Sequence, residues 1–173
     1  MNAPIGDQLI ALLPRLRRFA RGLAKSVADS DDLVQAACER ALARAHQWQP
    51  GTRFDSWMFR IVQTIWIDQM RARAVRGESD AIDPELQPTD ESVRQAEARM
   101  SLEVVQRAVT RLPEEQRAVL MLVTVEGLSY KEAAETLNVP IGTIMSRLAR
   151  ARAAVQSMTG MGAGEHGGGD ATV

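Results

Sequence analysis

Cysteine and histidine are scarce in this chain. Among its 173 residues there is one cysteine, Cys38, and two histidines, His46 and His166, which lie far apart. A single cysteine excludes an intramolecular disulfide and a multi-cysteine zinc site. Neither histidine belongs to a cluster with metal-ligand spacing. We therefore expect a protein that uses no metal and no other cofactor.

Aromatic residues and long apolar runs are also few. Aromatics make up 4% of the chain, whereas Ala, Leu, Arg, Glu and Gln are abundant. That mixture favours helices over strands. No apolar run approaches the roughly 18 residues of a membrane span, and residues 1–6 lack the basic stretch and apolar core of a signal peptide. By elimination we expect a soluble, cytoplasmic protein.

Neither sign of charge is in excess. There are 21 Lys and Arg residues and 22 Asp and Glu residues, for a net charge of −1. A nucleic-acid binder with this balance must sort its positive charge into patches. The charge is indeed sorted along the chain: residues 1–25 carry five basic residues and one acid, residues 77–103 carry eight acids and two arginines, and residues 140–156 carry three arginines and no acid.

The acidic stretch divides the chain. It contains Pro84 and Pro88 and almost no large apolar residue before Val93, which is typical of a linker. We therefore predict an all-α fold of two small helical domains, at 7–76 and 97–158, joined by a flexible acidic linker at 77–96. The Gly-rich tail, 159–173, is predicted to be disordered.

Three helices are predicted in the first domain, from apolar residues at helical spacing. The first covers 9–23, where Pro14 predicts a kink or a late start. The second is expected at about 31–46, with Asp29 or Ser30 as its N-cap. The third is expected at about 55–73, after Pro50 and Gly51 interrupt the helical pattern.

The second domain contains a helix-turn-helix pattern. A helix that begins at 113–114 is expected to stop at Gly127. Ser129 and Glu132 then form a capping box that opens a short helix. Asn138 stands where a left-handed turn residue is needed, and a last helix follows at about 141–157. A short capped helix, a tight turn and a longer helix are the spacing of a helix-turn-helix.

The last helix has two distinct faces. At about 100° per residue, apolar residues cluster on one side, namely Ile144, Leu148, Ala151 and Val155. A second stripe carries hydrogen-bonding and guanidinium groups and no carboxylate, namely Thr143, Ser146, Arg147 and Arg150. Because arginine can bind a phosphate or a guanine edge with two hydrogen bonds, this stripe predicts DNA binding, with Arg152 beside it on phosphate. The alternative is an ordinary solvated helix, which the adjoining capping box and turn disfavour.

With these motifs the chain resembles sigma factors of the extracytoplasmic-function (ECF) type, the small two-domain members of the bacterial sigma-70 family. The resemblance to region 4 lies in LPEEQR at 112–117, EGLSYKEAA at 126–134 and GTIMSRLARAR at 142–152. The resemblance to region 2 lies in DDLVQA at 31–36 and in the stretch from FDSWMFRI at 54–61 to Arg71. Together the two resemblances cover about 9–156. They imply a transcription initiation factor, not an enzyme, that binds core RNA polymerase and promoter DNA and is controlled by an anti-sigma factor.

The resemblance also implies sites. The residues implied to bind the upstream promoter element are Gly142, Thr143, Ser146, Arg147, Arg150 and Arg152. Region 2 is implied to bind the clamp of the polymerase and to melt the downstream element. On the second helix an acidic and polar face fits a basic coiled-coil partner, and a merely solvated face is the alternative. The residues of that face are Asp31, Asp32, Gln35 and Glu39.

The third helix and the loop before it are implied to contact the downstream element. The residues concerned are Trp48, Arg53, Arg60, Thr64, Asp68, Arg71 and Arg73. The loop is implied to hold a base flipped out of the stack, and Trp48 is either a wall of that pocket or, as we prefer, a core residue. Two positions depart from the family pattern, which often has Asn in place of Thr64 and a basic residue in place of Met145. These departures bear on promoter preference.

Two other functional classes are alternatives to a sigma factor. An enzyme is disfavoured because the sequence contains no nucleophile–base constellation, no phosphate-binding loop and no metal-ligand spacing. A helix-turn-helix regulator that binds DNA without acting as a polymerase subunit would share the C-terminal motif. It would not be expected to carry the paired motifs at 31–36 and 54–71.

Overall fold

The computed structural model describes residues 4–24, 26–77 and 93–160, with the backbone alone for 93–101. In these ranges every regular element is helical, which confirms the predicted fold class. The elements are α1 (Ile5–Leu23), α2 (Val27–Ala43), a 3-10 turn (Ala45–Gln47), α3 (Phe54–Arg76), α4 (Val93–Thr110), α5 (Glu114–Leu120), a π-helical turn (Met121–Val125), α6 (Tyr130–Leu137) and α7 (Ile141–Thr159).

Helices α1, α2 and α3 form the first unit. α1 buries one apolar stripe that includes Leu16, Phe19 and Leu23, as expected of an amphipathic helix. Phe19 meets Phe59 of α3 edge to face, with 5.1 Å between ring centroids. The late start considered for α1 is wrong, because the helix begins at Ile5 and runs through Pro14. Pro14 is exposed, so water can hydrate the backbone carbonyl that the proline cannot bond.

The predicted start of α2 is also wrong. Its N-cap is Ser26, whose hydroxyl accepts a hydrogen bond from the backbone N–H of Asp29 at 3.0 Å. Asp29 and Ser30 therefore lie in the first turn of α2, which begins at Val27, four residues before the predicted start. Ser30 is buried and donates its hydroxyl proton to the Val27 carbonyl at 2.7 Å.

Helices α4 to α7 form the second unit, in which α7 packs on α4, α5 and α6. α4 begins at Val93, four residues before the domain boundary expected at 97, and α7 ends at Thr159, just inside the expected tail. Most of the predicted linker (78–92) and of the predicted disordered tail (161–173) lies outside the described residues.

The two units pack against each other. Their buried side chains belong to one hydrophobic cluster, which includes Phe19 and Trp66 of the first unit and Val119 and Leu122 of the second. Arg117 of α5 reaches across this boundary. It donates to the Leu23 carbonyl at the end of α1 at 2.6 Å, and its guanidinium lies 6.0 Å from the centroid of Trp66. Because carbonyl oxygens and an aromatic face surround it, this cation can be buried.

Candidate nucleic-acid and polymerase interfaces

Helices α6 and α7 form the predicted helix-turn-helix. The Ser129 hydroxyl accepts from the Glu132 backbone N–H at 3.2 Å, and the Glu132 carboxylate accepts from the Ser129 N–H at 2.8 Å. Both halves of the capping box are thus present. Asn138 ends α6 in the left-handed conformation, with φ of 54°, and α7 begins two residues after Val139. Each local signal at 129–141 is confirmed.

The exposed face of α7 differs in part from the predicted stripe. Ile144, Leu148 and Ala151 are buried as predicted. At 100° per residue the positions opposite them are those of Gly142, Ser146, Ala149 and Arg150, all of which are exposed. Met145 borders this face and is 54% exposed. Its thioether and the Ala149 methyl group can offer a base only apolar contact, such as that with a thymine methyl group.

Arg147 lies at the edge of α7 and not on its exposed face. Its side chain is 20% exposed, and its guanidinium forms an ion pair with the Glu115 carboxylate of α5. Thr143 is half-buried on the same side, whereas Arg152 is exposed. Arg147 therefore holds α7 against α5, and Arg150 is the arginine of the predicted stripe that α7 presents to solvent together with Ser146.

Two of the arginines predicted to contact the downstream promoter element, Arg53 and Arg60, both contact α6. Arg60 of α3 donates from Nε to the Thr136 carbonyl at 2.8 Å and from its terminal nitrogen to the Glu135 carbonyl. Arg53, in the loop before α3, forms an ion pair with Glu132. These contacts join the two units of the fold.

The other predicted downstream residues fall into two groups. Thr64, Asp68 and Arg71 are exposed along α3, with the Thr64 hydroxyl donating to the Arg60 carbonyl at 2.8 Å. Arg73 is instead tied to α2, because its guanidinium lies 2.9 Å from the Asp29 carboxylate. Trp48 is 9% exposed and packs edge to face on Phe54 at 5.4 Å, which favours the core alternative for this residue.

Asp55, in the first turn of α3, binds two arginine side chains. Its carboxylate accepts from Arg53 at 2.7 and 3.1 Å and from Arg15 at 3.1 Å. Burial opposes its ionisation, but the hydrogen bonds from Arg53 and then Arg15 outweigh burial and hold the pKa of Asp55 below its ordinary value. The same bond raises the pKa of Arg53. This network fixes Arg53 in the direction of α6.

The acidic face of α2 is open to solvent. Asp31, Asp32, Gln35 and Glu39 are all exposed, and the Gln35 amide donates to the Glu39 carboxylate at 3.1 Å. Leu42 lies on the same face and is 55% exposed. Sequence reasoning missed Leu42, although its spacing of three residues from Glu39 is the signal that could have found it. The face therefore combines carboxylates with one large apolar side chain.

Two protein families match these two units. Residues 9–63 match the Sigma2 domain of PhyR, and residues 102–155 match Sigma-70, region 4. The sigma factor EcfG of Rhodopseudomonas palustris is 35% identical over 167 residues, which cover 96% of this chain and 91% of that relative. The chain belongs to the ECF RNA polymerase sigma factors.

Other ECF sigma factors agree with this assignment. SigM of Mycobacterium tuberculosis is 35% identical over 155 residues, or 89% of this chain and 76% of that relative. Among solved structures, the sigma factor RpoE from Bartonella quintana, in complex with the anti-sigma factor NepR, superposes with a TM-score of 0.77 at 28% identity over 91% of this chain and 97% of that one. The resemblance drawn from the sequence motifs is confirmed.

In the described part of this ECF sigma factor, no helix is both long and apolar enough to cross a bilayer. No three His, Cys, Asp or Glu side chains in the same ranges are grouped closely enough to hold a metal ion.

Proposed function

We propose that this ECF sigma factor directs core RNA polymerase to promoters through three surfaces. The acidic face of α2 binds a basic segment of the core enzyme, α3 contacts the downstream promoter element, and α7 reads the upstream element. The observation that carries this proposal is the pairing in one chain of an exposed acidic face on α2 with an exposed, carboxylate-free face on α7. One face fits a basic protein and the other fits DNA.

Start-site selection tests the proposal directly. Purified chain is added to sigma-free core polymerase on genomic DNA, and the 5′ ends of the transcripts are mapped. We expect a set of starts that is absent with core polymerase alone and that shares two upstream sequence elements. The same start sites with and without the chain would refute the proposal.

An anti-sigma factor is the expected regulator. The similar RpoE was solved with the anti-sigma factor NepR bound, and a protein of that kind would keep this sigma factor from the polymerase. Because its partner is the polymerase, we place the protein in the cytoplasm. Recovery of a small partner with the tagged chain, and its loss when the chain initiates transcription, would support this part of the proposal.

A sigma-like decoy is the second candidate, since residues 9–63 match the Sigma2 domain of PhyR, and PhyR is the anti-anti-sigma factor in a solved complex with the anti-sigma factor NepR. A decoy needs no DNA-reading helix, so the exposed Ser146 and Arg150 on α7 favour the sigma factor. A pull-down with core polymerase separates the two, because a decoy would bind an anti-sigma factor and leave the core enzyme in solution.

A further inference from the structure

Two rows of exposed residues run side by side along α7, one polar and one apolar. Members of a row are four positions apart, so they lie one above the other on the helix. The polar row is Ser146 and Arg150, and the row that we call the apolar row is Ile141, Met145 and Ala149. Ile141 is 49% exposed and Met145 is 54% exposed, although side chains of this kind are usually buried. The apolar row therefore remains largely open to solvent.

The charges around the apolar row favour a nucleic acid as its partner. Arg150 lies on one side of the row and Arg152 on the other, and both are exposed. At 100° per residue these two side chains are about 160° apart, with Met145 and Ala149 between them. Residues 141–160 contain no Asp or Glu, so no carboxylate of α7 would repel a phosphate. An apolar strip between two cations fits the major groove of DNA, where base edges lie between two phosphate backbones.

Gly142 leaves room beside the apolar row. It lies inside α7, where glycine disfavours the helix. A Cβ atom there would meet nothing within 4 Å, so packing among the described residues does not require glycine. At the start of a helix that enters a groove, the missing side chain lets the backbone approach a ligand closely. This position favours a ligand at the first two turns of α7, next to Met145.

The chemistry of Met145 limits what it can recognise on a base pair. It has no hydrogen-bond donor, and its thioether is at most a weak acceptor. The apolar group that base pairs present in the major groove is the 5-methyl group of thymine, which a flexible methionine side chain can pack against. From Ile141 to Ala149 the apolar row is about 12 Å long at 1.5 Å per residue. Because bases in one strand are about 3.4 Å apart, the row can lie along about three of them.

We infer that Met145 determines promoter specificity by packing against the methyl group of a thymine in the upstream element, with Ile141 and Ala149 extending the contact. Ser146 and Arg150 lie beside it and supply hydrogen bonds to neighbouring groups of the DNA. This inference rests on the proposed function, because it takes α7 as the helix that reads the upstream element. It goes further by naming the base, and the group on that base, that Met145 recognises.

Deoxyuridine tests this contact, because it lacks the 5-methyl group of thymidine and keeps every hydrogen-bonding group of the base. Each thymine on either strand of an upstream element found by start-site mapping is replaced in turn. The dissociation constant of the holoenzyme for each duplex is then measured. We expect one or two replacements to weaken binding about fourfold, the effect of leaving one methyl group unburied. Replacement of the remaining thymines should leave the dissociation constant unchanged.

Three variants show whether Met145 makes the contact. Met145→Leu keeps an apolar side chain and should keep the response to deoxyuridine. Met145→Gln has nearly the same length but a polar end, and the response should disappear. Met158→Gln is the matched control, because Met158 is 38% exposed near the end of the same helix, and it should behave as the parent. Leu, Met and Gln have similar helix propensities, so the comparison does not depend on a change of fold.

The outcomes separate the inference from the proposed function. An upstream element in which no thymine responds to deoxyuridine, or which contains no thymine on either strand, would overturn the inference. A response that persists in Met145→Gln would also overturn it, because another group would then make the contact. The proposed function is judged by start-site selection with the parent chain. New start sites without any response to deoxyuridine would overturn the inference alone, whereas the absence of new start sites would refute both.

Discussion

At the scale of single residues, the arginines of α7 have different surroundings and so different expected roles. Arg150 is exposed on the face opposite the buried stripe, and Arg147 is paired with Glu115. We predict that Arg150→Ala weakens promoter binding by about 1–3 kcal/mol, the range for a base-reading arginine. Arg147→Ala should weaken it less and lower stability by about 1 kcal/mol or less, since Glu115 is well exposed.

These two effects are measured by titrating holoenzyme on a promoter found by start-site mapping, and by thermal unfolding of the chain alone. Arg111→Ala is the control, because Arg111 is exposed in the same unit and lies away from α7 in sequence. A larger binding loss for Arg147→Ala than for Arg150→Ala would mean that the recognition surface is the stripe predicted from the sequence, which includes Arg147.

Asp55 gives a prediction that depends on pH. Its pKa is lowered in the folded protein by Arg53 and Arg15, so folding favours its ionised form. The stabilisation is complete above the ordinary value of about 3.9 and is lost as the pH falls through the lowered value. We predict that Asp55→Asn reduces the free energy of unfolding by about 1–3 kcal/mol at pH 7. This difference should shrink below about pH 4.

Denaturant unfolding at pH 7 and at pH 3 measures that difference. Asp68→Asn is a matched control, since Asp68 is an exposed carboxylate on the same helix. It should change stability by a few tenths of a kcal/mol at either pH. An equal loss for Asp55→Asn at both pH values would mean that the side chain acts through packing and not through its charge.

At the scale of elements, features that depend on neighbouring residues in the sequence were predictable, whereas features that depend on packing between elements were not. The capping box, the left-handed Asn138 and the start of α7 depend on residues within four positions, so sequence was enough. The start of α2 was missed because Ser26, Asp29 and Ser30 are all good N-caps. The choice among them depends on other elements: the Asp29 carboxylate binds Arg73 of α3, and Ser30 is buried.

Asn138 carries the element-scale prediction. An alanine in the left-handed conformation costs roughly 1–2 kcal/mol, whereas glycine adopts it freely. We predict that Asn138→Ala lowers the free energy of unfolding by about 1 kcal/mol and that Asn138→Gly changes it by only a few tenths. Thermal unfolding of the two variants compares them directly. A similar loss for both would show that the asparagine side chain, and not the backbone angle, supports the turn.

At the scale of the whole molecule, sequence reasoning could not place one unit on the other. The contacts that join them, such as Arg15 to Glu126 and Arg60 to Thr136, link residues 111 and 76 positions apart. Neither hydrophobic periodicity nor capping residues indicate which residues so far apart in sequence are in contact. The same contacts bind Arg53 and Arg60 to α6, while both residues stay exposed to solvent. The acidic face of α2, which we propose for core binding, is exposed in this arrangement.

That exposed face gives the last prediction. Asp32→Arg combined with Glu39→Arg should raise the dissociation constant for core polymerase at least about tenfold, because like charges facing a basic partner cost several kcal/mol. The control is Asp7→Arg combined with Glu103→Arg, which makes the same change of charge on α1 and α4. Circular dichroism and the radius of gyration should stay those of the parent in the Asp32 and Glu39 double variant, since both residues are exposed and α2 packs on α1 and α3 of its own unit. Equal weakening by both double variants would mean that net charge, and not the face of α2, governs the encounter with polymerase.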